Sequence, residues 1–254
     1  MTRENTTERE GRLPGIPPAQ VLDVDVLIGR YPDRPGPPGD PASVRAVLDE
    51  HGIGGGLVCS LRGALFDVDA GDAETLALGL PGMHAVSTVD LRDGLRAERT
   101  LDRLAEHGRR VIRLFCEEQH IEPDFPALWR VTRLAAEHDF LVLLGGDVRR
   151  MWRPFAGIGA CVVFLDTHFY HLGDFLLLAR DEPGFHTSTR LLNSPDGLEL
   201  VAAEVGAERL LLGTRSPLYE PAVPLLRLSA SGLDDAQRSL VAGANLRRLL
   251  EGRT

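Results

Sequence analysis

Three observations predict an α/β fold for this chain and, within that class, a (β/α)8 barrel. Its 254 residues suit one such barrel, though the same length would also hold two small domains. Short apolar runs recur along the whole chain, and each is followed by a helical pattern. The connections are short, as a parallel sheet requires, because each parallel pair needs a crossover and a helix supplies it.

Residues 1–20 open with MTRENTTERE and continue as GRLPGIPP, in which glycine and proline oppose regular structure. They are expected to form a tail, loose or packed across the barrel bottom, and residues 21–254 a single barrel domain. The first strand is expected over 21–28. The proline- and glycine-rich loop RYPDRPGPPGDP follows at 30–41, long enough to fold over a site. Asp40 and Pro41 then start a helix with Val44, Val47 and Leu48 on one face and Gly52 as its stop.

The alternation continues with strands over 57–60, 83–89, 111–115, 140–144, 161–165, 185–189 and 210–212. Between them the spacing predicts helices over 72–80, 97–107, 126–138, 148–155, 175–179 and 195–205, and a closing helix over 234–250. The helix over 126–138 is the clearest, with Leu128, Val131, Leu134 and Ala135 on one side. An open doubly wound sheet is the alternative architecture. Against it, GIGGG at 52–56 precedes a strand instead of opening a helix after one, the wrong context for a dinucleotide fingerprint.

Composition excludes some functions. A net charge of −9, with arginines dispersed among acids, makes nucleic acid and anionic membrane poor partners. No apolar run is long enough to span a membrane, and the polar opening lacks an export-signal pattern, so a cytoplasmic location is expected. Cys59, Cys116 and Cys161 are far apart, odd in number and set beside apolar runs, which favours buried free thiols over a redox or zinc role.

Two segments carry more information. VLDVDVLIGRYP at 21–32 and AERLLLGTRSP at 207–217 are apolar runs that end abruptly in glycine and charge, as barrel strands delivering polar groups to a rim would. Together with EHGIGGGLVCS at 50–60, FDVDAGDAETLAL at 66–78, VIRLF at 111–115, GLELVAAEVGAERLLLG at 197–213 and VAGANLRRLL at 241–250, they resemble the amidohydrolase superfamily. The likeness is to its amidohydrolase-2 branch of metal-dependent hydrolases and decarboxylases, and it runs from about Val21 to Leu250.

The resemblance implies a metal-dependent-hydrolase-like barrel with a divalent ion at the C-terminal rim. In the family two first-strand histidines, histidines from the fifth and sixth strands and an eighth-strand aspartate hold that ion, and an open position generates hydroxide. Here Asp25 and Leu27 stand at the first-strand positions, and Gly145 or Gly146 at the fifth. Thr167 or, with a one-residue slip, His168 stands at the sixth, and Arg215 at the eighth. The expectation is therefore a degenerate metal site with no cofactor, and zinc or another divalent ion only if that assignment of positions is wrong. The family's habits also imply a possible homodimer.

Arg215 has three readings: pairing with Asp25, with Asp166 or Glu117 nearby; pointing outward into solvent; or holding a substrate carboxylate or phosphate. His168 ends a core strand and could serve as acid or base, or as a hydrogen-bonded structural histidine. Glu117, Glu118 and His120 in CEEQH form a second acid and base cluster, equally explained as a solvated loop. Asp25, His168 and Arg215 are thus the catalytic candidates, and Glu117, His120, Asp166 and Thr167 the substrate-binding ones. Three functions stay open for a small-molecule site at the rim. They are a metal-independent hydrolase or lyase acting on a small carboxylated molecule, a non-catalytic homologue that binds a ligand or an active relative, and a metal-dependent amidohydrolase with an atypical ligand set.

Overall fold

Runs rich in Val, Leu and Ile become strands buried on both faces, and the amphipathic stretches between them become the helices that cover the outside. In the computed structural model, which describes residues 12–33 and 35–253, the chain begins with β1 (Leu22–Ile28), α1 (Pro41–Glu50) and β2 (Gly55–Ser60). There follow α2 (Leu61–Leu65), α3 (Val68–Leu76), β3 (Met83–Ala85), β4 (Ser87–Thr88), α4 (Gly94–Glu106), β5 (Val111–Leu114) and α5 (Pro126–Glu137). The second half holds β6 (Leu141–Leu144), α6 (Val148–Met151), β7 (Cys161–Phe164), α7 (Leu172–Asp181), β8 (Phe185–Ser188), α8 (Gly197–Glu204) and β9 (Leu210–Leu211). The chain closes with α9 (Ala222–Ser229), α10 (Asp235–Ser239) and α11 (Asn245–Leu250).

All pairings among these strands are parallel and run in chain order around a ring. β3 and β4 are two halves of one barrel strand, interrupted at Val86, whose N–H donates to the Val58 carbonyl at 2.9 Å. The ring closes where Val26 bridges Ser216, with Val24 N–H on the Leu212 carbonyl at 2.9 Å and Leu27 N–H on the Ser216 carbonyl at 2.8 Å. Strand alternation then sorts the apolar residues into two cores. Ile112, Leu114, Val142, Leu144, Val162 and Phe164 pack outward under the helices. Val111, Leu141, Leu143, Val163, Leu165 and Leu211 fill the barrel.

Within the expected tail, Leu13 is buried and Arg12 donates to the Asp49 and Glu50 carbonyls at 2.8 and 3.2 Å, at the C-terminus of α1. Residues 1–11 of that tail, and Arg34 of the proline-rich loop, lie outside the described residues. The helix expected over 72–80 starts earlier, capped by Asp67, while the Asp72 carboxylate accepts the Thr88 N–H at 2.9 Å. α9 has no counterpart in the sequence reading. The single closing helix expected over 234–250 is interrupted by a wide turn over Leu240–Ala244.

That interruption has a steric cause. A Cβ on Gly243 would lie 2.0 Å from the Gln20 carbonyl oxygen, so the glycine lets the segment entering β1 pass against the closing helices. No helix among the described residues is long and apolar enough to cross a membrane. Gly243→Ala should therefore destabilise the barrel by about 1–3 kcal/mol, the usual cost of overpacking. Denaturant unfolding would check it, and an unchanged midpoint would show that the N-terminal segment does not need this close approach.

Candidate functional site at the barrel mouth

A cation placed inside a barrel must find an anion, because an unpaired buried charge is too costly to keep. Arg113 lies on β5 between the inward positions of VIRLF, and only 3% of it is exposed. Its Nη1 donates to Asp25 Oδ1 at 2.6 Å, and its guanidinium lies 4.5 Å above the Phe115 ring. Asp25 itself is wholly buried, and the β1–β2 register shifts between Asp23 and Val26, around its position.

The second Asp25 oxygen is taken by Arg215. Its Nε donates to Oδ2 at 2.9 Å, while its Nη2 lies 3.0 and 3.1 Å from the two oxygens of Asp166. Asp166 also accepts from Arg190 Nη2 and from the Gly146 N–H, the latter at 3.0 Å. Three guanidinium groups thus share two carboxylates across the barrel mouth. This is the first of the three geometries read for Arg215 from sequence, with Asp166 as the second acid.

The electrostatics follow from that geometry. Burial opposes ionisation of Asp25, but the charges of Arg113, Arg215 and Arg190 outweigh it and hold the carboxyl down at about 2. Burial would lower the pKa of Arg215, and the facing Asp25 carboxylate raises it instead. Arg190 goes the other way: burial and the neighbouring Arg215 charge push it down to about 10, still protonated at neutral pH.

Below this layer a third acid fixes the backbone. Asp23 accepts the N–H groups of Asp25 and Thr214 at 2.9 and 3.0 Å on Oδ1, and the Thr214 hydroxyl on Oδ2. Thr214 Oγ1 in turn accepts the Ser216 N–H at 2.9 Å. The residue between them, Arg215, has φ of 58°, a left-handed conformation that non-glycine residues seldom adopt. The bonds on either side hold it there. Burial pushes the Asp23 carboxyl up to about 6.

Outside the network lies a cavity of about 430 Å³. Arg30, Tyr31, Glu117, Glu118, Arg215 and Tyr219 line it, together with Leu218 and the proline-rich loop. That loop is pinned at its base by the Gly29 N–H on the Gly39 carbonyl at 2.8 Å. Tyr31 donates its hydroxyl to Glu118 Oε1 at 3.2 Å, and the Tyr219 ring lies 5.1 Å from the Arg190 guanidinium.

The other sequence candidates separate. Glu117 reaches both this cavity and a neighbouring one of about 260 Å³, which His120 lines from a left-handed position of φ 56°. Thr167 is fully buried, and its hydroxyl has no hydrogen-bond partner among the described residues. His168 does not join the Arg215 cluster: its Nδ1 accepts the Tyr170 N–H at 3.3 Å, capping a short turn, and its ring stacks on Tyr170 at 4.9 Å. Cys59, Cys116 and Cys161 are free thiols, and burial pushes the first two up to about 11 and about 12, far from a reactive thiolate.

Sequence reasoning missed Arg113, Arg190, Asp23 and Thr214. Arg113 carried a usable signal, a lone charge within an apolar strand run. Asp23 carried one as well, since it sits two residues from Asp25 in a strand with no solvent face. Arg190 follows a hydroxyl-rich strand end and reads like any solvated rim charge.

Comparison with protein-family profiles and with curated proteins gives no sequence match. Solved structures do match. An uncharacterised TIM-barrel protein from Bordetella bronchiseptica superposes with a TM-score of 0.74 at 12% identity, covering 92% of this chain and 99% of that one. The fold is a (β/α)8 TIM barrel. A 2,6-dihydroxybenzoate decarboxylase, solved with 2,6-dihydroxybenzoate, gives a TM-score of 0.72 at 14% identity over 91% of this barrel and 98% of its own chain. A putative 2-pyrone-4,6-dicarboxylic acid hydrolase from Pseudomonas putida gives 0.68 at 17% identity, over 92% and 98%. These likenesses agree with the barrel fold read from the sequence.

Two predictions follow from the network. Arg113→Ala leaves Asp25 buried with one partner removed and should cost about 3–5 kcal/mol of stability, measured by denaturant unfolding. The second concerns pH. The folded pKa of Asp23 lies above its ordinary 3.8, so the stability linked to its proton is present below that value and lost as pH rises through about 6. Asp25 has the opposite sign: its contribution is present above 3.8 and lost as pH falls through about 2. The thermal midpoint of Asp23→Asn, relative to wild type, should therefore move in the variant's favour as pH rises from about 4.5 to about 7.5. A difference that does not change with pH would contradict the assignment.

Proposed function

We propose that this barrel descends from the amidohydrolase-2 branch, that a guanidinium stands where relatives hold a dication, and that its mouth binds a small carboxylated molecule with Arg215 as anchor. One observation carries the reading. Both oxygens of Asp25 accept from arginines, and both oxygens of Asp166 are engaged by Arg215, Arg190 and Gly146. A dication at this place would have to evict Arg215 and would meet the positive charge of Arg113 and Arg190.

The donor set does not fit a family-type ion. Leu27, Gly145 and Gly146 offer no side-chain donor at the corresponding positions, and Asp25 is already saturated. Among the described residues, no group of three or more His, Cys, Asp or Glu side chains could hold a metal.

Arg215 is the member of the network that also lines the larger cavity, and about 15% of its side chain is exposed there. The network counts three guanidinium groups against two carboxylates, and this surplus favours an anionic ligand group. Glu117 and Glu118 on the same cavity wall support a second reading, a metal-independent hydrolase or lyase in which one of them moves the proton. His168, committed to its turn, is the weaker candidate for that role.

Thermal-shift titration with small aromatic and aliphatic carboxylates tests the proposal. The melting temperature should rise with carboxylate concentration to the same extent in EDTA and in added zinc or manganese. Arg215→Lys keeps the charge but loses the planar fork, and should weaken that response by about tenfold. A response that appears only with a divalent ion would overturn the proposal in favour of the metal-dependent alternative.

A further inference from the structure

The cavity at Arg215 is built with an internal contradiction for a plain carboxylate. Its cationic floor, Arg215, would attract one, yet Glu117 and Glu118 line the same space. They also stand with Arg215 and Asp166 around the narrow cleft that leads down to the network. A simple anion docking on Arg215 gains one charged partner and is pushed back by two. The Glu118 charge is close enough to Arg215 to help raise the guanidinium's pKa, so acid and base lie within electrostatic reach.

The two acids are not equivalent. Glu118 accepts the Tyr31 hydroxyl. Glu117 is exposed to the cavity, and among the described residues no hydrogen bond or ion pair to its carboxylate is found. A carboxylate left open beside an arginine that is already doubly bonded is free to accept from a ligand's N–H. Tyr31 and Tyr219 flank the same space and provide aromatic surface for the body of such a ligand.

Resting on the anion-anchor reading above, we infer that the ligand is zwitterionic: a small aromatic-sized molecule with a carboxylate for Arg215 and an amino or ammonium group for Glu117. Such a molecule turns the repulsion into attraction at both ends. The 430 Å³ volume has room for a single-ring compound. Glu118, held by Tyr31, supports the same end by its charge.

Isothermal titration of the full chain at neutral pH with three matched probes tests this: 4-(aminomethyl)benzoate, which is zwitterionic, 4-methylbenzoate, which lacks the amine, and benzylamine, which lacks the carboxylate. The zwitterion should bind at least about tenfold more tightly than either fragment, as expected for one added charge-assisted hydrogen bond. Glu117→Gln should abolish that advantage and leave 4-methylbenzoate bound as well as before, or better. If 4-methylbenzoate binds as tightly as the zwitterion, the inference fails and the anion anchor stands. If neither carboxylate binds, or benzylamine matches the zwitterion, the anchor reading fails and the inference with it.

Discussion

The mouth of this barrel is organised by one shared interaction, the Arg215 guanidinium bonded at the same time to Asp25 and Asp166. A carboxylate as deeply buried as Asp25 would be expected to hold its proton, yet it is kept ionised because arginines approach both of its oxygens. Asp166 lies between Arg215 and Arg190, and the Gly146 N–H completes its shell. Each charge in the set is tolerable only because the others are present. The arrangement therefore behaves as a unit and resists piecemeal substitution.

The fold supplies the positions, and a few local devices aim the side chains. The β1 irregularity lies where Asp25 enters the barrel, β5 alternation presents Arg113 to it, and the Asp23–Thr214 pair holds the backbone on either side of Arg215. That pair sits where the ring closes between Val26 and Ser216. Closure of the barrel and orientation of its central arginine are thus one structural problem with one solution.

Much of this was legible in the chain. The alternation of apolar runs and helices predicts the strands within a residue or two, because buried parallel strands have little other composition open to them. The terminal strands identify the mouth, and the arginine in GTRSP marks its odd feature. What escaped sequence reading depends on contacts between distant residues: Arg190 reaching Asp166 and the break at Gly243 that admits Gln20. No periodicity encodes those. Arg113 within VIRLF and Asp23 beside Asp25 were the missed residues whose roles the physics of burial would have revealed.

The claim that a guanidinium stands at the place of a metal is tested most directly by a crystal structure of the protein grown with millimolar manganese, with data collected for anomalous scattering. The account predicts planar guanidinium density between Asp25 and Asp166 and no anomalous peak at the barrel mouth. A peak within about 2.2 Å of an Asp25 oxygen, with Arg215 swung out into the cavity, would contradict it.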